Sequence, residues 1–165
     1  MEQKKVNSHE GFTLSLALVD ALPVLFFGIS CILIGLLYKS PLFIIGACFA
    51  FLGGLGKVLW KIFLATSKKD ILFLNKQFRY TMSLGFLLIL LSLIVGFKTI
   101  NFGNLWHCVI SWPSVIFFLL GLSGMVTMGV LAKKLDSTQA KNNWIEQCVN
   151  AFAQLCIMLG ILFLF

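Results

Sequence analysis

Acidic side chains are scarce in this chain: six Asp and Glu stand against 13 Lys and Arg. Charge of either sign makes up 12% of the residues, too little for the hydrated surface of a soluble domain. Histidines number two and prolines three. No C-x-x-C, H-E-x-x-H, G-x-S-x-G or phosphate-binding glycine loop occurs, so the usual signatures of dithiol, zinc, hydrolase and nucleotide chemistry are missing. No polar stretch is long enough to separate domains. The five cysteines (Cys31, Cys48, Cys108, Cys148 and Cys156) are odd in number, and four fall in apolar runs. They read as small buried hydrophobes rather than a disulfide frame or metal site. Neither a cofactor nor a metal is expected, and no catalytic residue can be named.

What is abundant is apolar: 59% of residues are hydrophobic and mean hydropathy is +0.99. Five runs reach the roughly 20 residues needed to cross the hydrocarbon of a bilayer. They are Thr13–Tyr38, Pro41–Thr66, Tyr80–Ile100, Pro113–Ala132 and Trp144–Phe165. The chain is therefore expected to be all-α, a single polytopic bundle of five transmembrane helices. A cleaved signal peptide is not expected, because the first run is too long and contains Asp20 and Pro23.

The excess of positive charge follows the loops. With five spans, Lys4, Lys5, Lys68, Lys69, Lys76, Arg79, Lys133, Lys134 and Lys141 share one side, and Lys39 and Lys98 the other. This bias predicts a cytoplasmic N-terminus and an outside C-terminus. It also predicts attraction to anionic lipid, a better account of the charge than nucleic acid. The small size and lack of eukaryotic targeting signals point to a bacterial inner membrane. Between the second and third runs, Ile71, Leu74 and Phe78 share a helical face among basic residues. The segment 70–79 reads as an interfacial helix or as an early start of the third span. The outer loop carries Trp106, His107, Cys108 and Trp112, an interfacial aromatic belt without a third partner for a metal.

Three charges interrupt the first hairpin. Asp20 lies 19 residues before Lys39, while Lys57 and Lys61 lie 17 and 21 residues after Ser40. In an antiparallel pair Asp20 falls between the two lysines, about 3 Å along the axis from either. A carboxylate at that depth needs a cation. Lys57, the deeper lysine, is the expected partner, and Lys61 beside Trp60 is expected to snorkel to the interface. Pro23 removes the donor for the Val19 carbonyl and predicts a bend beside Asp20. In the second run Gly46, Ala50 and Gly54 form a small face, expected to approach the first span and carry both lysines with it. In the last run Asn143, Gln147, Asn150 and Gln154 recur at helical spacing, with Glu146 about 100° away and able to reach Asn150.

These residues define the candidate site: Asp20, Lys57, Glu146, Gln147, Asn150 and Gln154, with Lys61 and Thr127 at its margin. The first functional reading is a transporter- or channel-like binder of a small polar or ionic ligand in the cytoplasmic half. The second is a non-catalytic partner or scaffold subunit whose last-span stripe docks another membrane protein or a copy of itself. The third, a lipid-modifying enzyme, lacks any assignable nucleophile and base.

Overall fold

The computed structural model describes residues 13–67, 70–97, 102–136 and 139–164. Lys4, Lys5, Lys68, Lys69 and Lys98 of the charge pattern lie outside the described residues, as do positions 98–100 and 165 of the expected spans. Among the described residues all regular structure is helical: α1 (Leu14–Tyr38), α2 (Pro41–Ser67), α3 (Leu72–Val95), α4 (Phe102–Ile110), α5 (Ser114–Lys134) and α6 (Ala140–Leu162). All but α4 are long and apolar enough to span a membrane.

Local chemistry sets the ends. The Thr13 hydroxyl caps α1 by accepting from the Leu16 amide at 3.3 Å. At the other end Lys39 takes a left-handed conformation (φ 49°) and its amide donates to the Gly35 carbonyl. Pro41 then opens α2, where its missing N–H costs nothing. No Gly or Pro stands between Asp70 and Leu84, so the basic-aromatic segment is not a separate helix but the opening turns of α3. Gly96 closes that helix, which therefore sits nearer the N-terminus than the expected Tyr80–Ile100. The connection between the third and fourth spans holds the short helix α4, with Trp106, His107 and Cys108 exposed.

The helices pack in the order α3, α2, α1, α6, α5, with α4 against α5. The first and last long helices are thus neighbours and run in the same direction. Between α2 and α3 the packing is very close. A Cβ added at Gly85 would lie 2.6 Å from the Ala50 amide nitrogen and 2.7 Å from the Gly46 carbonyl. Gly53 likewise leaves room for Thr81, and Gly56 for the Gln77 side chain. At the hairpin end Tyr38 donates to the Ser92 carbonyl at 2.5 Å, and the Ser40 and Ser92 hydroxyls lie 3.0 Å apart. Opposite, α5 meets α6 through Gly121 and Gly124, which seat Ile157 and Ala153.

This corrects one expectation. The small face of α2 looks at α3, not at α1; only Gly54 turns to α1, where Val24 fills the space. A stripe of small residues promises close approach to some helix, and Gly85 supplies the matching surface on α3. The outer surfaces are mainly apolar: α3 buries Gly85 and Ser92, and α5 buries Ser114 and Gly121, while Lys76, Arg79, Ser123 and Thr127 are exposed. Leu, Ile, Val and Phe cover most of the remainder, as a lipid-facing surface requires.

Candidate functional site

Lys61 of α2 reaches Asp20 of α1 across 2.9 Å, and its ammonium also donates to the Asn143 Oδ1 of α6 at 3.0 Å. The Lys61 side chain is 2% exposed and that of Asp20 7%. One cation therefore pins three helices. Leaving a single charge at this burial would cost several kcal/mol; pairing both charges and adding the amide oxygen offsets that penalty.

Lys61, not Lys57, is the buried partner. The Lys57 ammonium stands 4.6 Å from the centre of the Phe78 ring on α3, a cation–π contact at a half-buried position. The reason is angular. At about 100° per residue, Lys57 sits some 20° from the Gly46 line that faces α3, whereas Lys61 is rotated some 60° from it, toward the Gly54 side that faces α1. Axial depth alone could not separate the two lysines. Trp60, expected to accompany Lys61 to the interface, is buried and donates from its indole to Asp70 at 2.8 Å.

The α6 stripe divides along its length. Asn143 and Gln147 are buried at 5% and 4% exposure, and Glu146 joins them at 5%. Asn150 is half-buried. Gln154 has left the cluster: its amide donates toward the Met125 sulfur of α5 at 3.5 Å. Thr127 stands apart, exposed and donating to the Ser123 carbonyl of its own helix at 2.8 Å. Asn143 belongs at the centre of the cluster. Its place at the head of the amide stripe was visible in the sequence, but not its contact with Lys61.

Two oxygens in the cluster lack donors. Glu146 Oε1 and Gln147 Oε1 are fully enclosed and accept no hydrogen bond among the described residues. Glu146 lies within the electrostatic field of Lys57 and Lys61, yet neither ammonium bonds to it. Buried acceptors are normally satisfied by protein or by ordered water, so these two are where the cluster has acceptor capacity left.

Three clefts lie elsewhere. One of about 560 Å³ runs between α1 and α2 and is apolar, with Cys31 and Cys48 on its wall. A second of about 680 Å³ lies along α3 near Arg79, and a third of about 290 Å³ sits at the Tyr38–Ser40 turn. None of these three is lined by Asp20, Lys61, Glu146 or Gln147. Among the described residues no group of three or more His, Cys, Asp and Glu stands together. All five cysteines are free. Comparison with protein-family models, with curated proteins and with solved structures found no match; what the chain establishes of itself is a helical bundle with five candidate membrane spans.

Proposed function

We propose that this protein binds a small polar or ionic solute within the membrane and passes it across, as a carrier or channel of minimal size. The binding cluster is Asp20, Lys61, Asn143, Glu146 and Gln147, with Lys57 at its rim and Asn150 and Gln154 continuing the polar face along α6. The loop-charge bias supports a cytoplasmic N-terminus, which sets this cluster in the cytoplasmic half of a bacterial inner membrane, with anionic lipid at the basic loops.

One observation carries the reading: Glu146 Oε1 and Gln147 Oε1 are enclosed and accept no hydrogen bond among the described residues, beside the Asp20–Lys61 ion pair. Helix-helix adhesion accounts for the Asp20–Lys61–Asn143 contact, which joins α1, α2 and α6 directly. It gives no reason to bury Glu146 and Gln147 unfilled. A docking face for another membrane protein is also disfavoured, since Asn143, Glu146 and Gln147 are covered by the chain's own helices.

The test is thermal unfolding of the detergent-purified protein against alkali chlorides, ammonium chloride, small zwitterions and small organic anions. A binder of N alone raises the melting temperature with its concentration. At least one solute is expected to do so for the wild type and to lose the effect in Gln147→Leu. A flat response to the whole panel would overturn the proposal.

A further inference from the structure

We infer that the cleft along the opening turns of α3 seats one phospholipid with an anionic headgroup, its phosphate held by Lys76 and Arg79. This rests on the reading of the chain as a membrane protein with anionic lipid at its basic loops, and is independent of the solute reading at Asp20 and Lys61. Lys76, Arg79, Tyr80 and Ser83 all line this cleft of about 680 Å³. Two positive charges and two hydroxyls thus meet on one cavity. No acidic side chain lines it, and among the described residues no carboxylate pairs with either cation. The patch is therefore left at two positive charges, and an anion is what it lacks.

The helix turns this face away from the rest of the bundle. Gln77, Thr81 and Gly85 meet α2: the Gln77 amide donates to the Gly53 carbonyl at 3.4 Å, Gly53 leaves room for Thr81, and Gly85 lies against Gly46 and Ala50. Arg79 and Ser83 each stand two residues from Thr81, some 160° around the helix. They therefore look outward, where lipid stands. Arginine and lysine bind phosphate through charge-assisted hydrogen bonds, and the hydroxyls can add donors. A zwitterionic headgroup is a poorer fit, because it brings its own ammonium toward two cations. The same line of α3 continues as Leu87, Leu90 and Ile94, all exposed, at spacings of four, three and four from Ser83. Ser83 to Ile94 covers about 16 Å of helix, close to one leaflet of a roughly 30 Å hydrocarbon core. A cationic seat that runs on into an apolar track one leaflet long suits a lipid. A soluble phosphate would use only the seat.

The experiment adds phosphatidylglycerol or phosphatidylcholine to the protein purified in an uncharged detergent. Native mass spectrometry counts the lipids bound, and the melting temperature is read in parallel. The wild type is expected to retain one phosphatidylglycerol in preference to phosphatidylcholine and to melt higher with it. Lys76→Gln combined with Arg79→Gln should weaken that binding roughly 30-fold, and either change alone roughly fivefold. Both side chains are exposed, so the fold should survive; if the double variant does not fold, the single ones decide. Lys133→Gln with Lys134→Gln removes the same charge from the last turn of α5 and should leave the bound lipid in place. Equal weakening by the two double variants would overturn the α3 site and leave only a general attraction of the basic loops. A wild type that takes both lipids alike would end that attraction as well. Stabilisation by inorganic phosphate or glycerol phosphate equal to that by the lipid would overturn the lipid assignment in favour of a soluble anion.

Discussion

Replacing Lys61 with methionine keeps the length of the side chain and deletes its charge. Asp20, 7% exposed, then loses the ammonium at 2.9 Å, and Asn143 loses its donor at 3.0 Å. Removing one partner of a buried pair costs about 3–5 kcal/mol, because the remaining charge has no water to return to. Asp20→Leu leaves the lysine stranded and should cost a similar amount. The double variant Asp20→Leu with Lys61→Met removes both charges, and replacing a whole pair by apolar side chains is often neutral or better. It should recover most of the loss, for a coupling of at least about 2 kcal/mol. Titration with sodium dodecyl sulfate in mixed micelles, followed by circular dichroism and by Trp60 and Trp144 fluorescence, measures all four corners. Additivity of the two single changes within about 0.5 kcal/mol would refute the pairing. So would a cost below about 1 kcal/mol for Lys61→Met, which is what a solvated surface pair gives.

Lys57→Met, four residues away, should cost only about 0.5–1 kcal/mol, the worth of a partly exposed cation–π contact, and the same titration checks it. Gly85→Leu drives side-chain atoms into the α2 backbone at Gly46 and Ala50 and should cost about 1–3 kcal/mol or prevent folding. Gly129→Ala is its counterpart: nothing lies within 4 Å of the added methyl, so stability should hold or rise by up to about 1 kcal/mol.

Hydropathy made the five spans legible, since bilayer thickness alone sets their length. The tight Tyr38–Pro41 turn was equally legible, because Pro41 disfavours helix at the residue before it and is suited to open the next one. The need of Asp20 for a lysine also followed from burial cost. Which lysine it takes did not, because Lys57 and Lys61 are equidistant in depth and differ by only 40° around α2. That difference becomes decisive once it is known that α2 turns its glycines toward α3, and this depends on Gly85, far away in sequence. The amide stripe of α6 was readable as a buried face. Its division between the cluster at Asn143, Glu146 and Gln147 and the α5 contact at Gln154 was not. Only packing sets which neighbour each turn meets. Thr127 illustrates the converse: a hydroxyl in an apolar helix satisfied itself on the preceding turn and needed no site.

The pairing of Asp20 with Lys61 and Asn143 also imposes a schedule on biosynthesis. At roughly 5–20 residues per second, Lys61 follows Asp20 out of the ribosome, about 40 residues later, within about 2–8 s. Asn143 comes roughly 120 residues after Asp20, about 6–24 s later. The nascent first helix therefore precedes its lysine. With Asp20 in the second turn of a 25-residue helix, the uncompensated acid costs less than the roughly 2.5–3.5 kcal/mol of a carboxylate at a helix centre, and its many leucines and isoleucines outweigh that. The second helix then answers the charge, and the last one closes the junction only when translation is nearly complete.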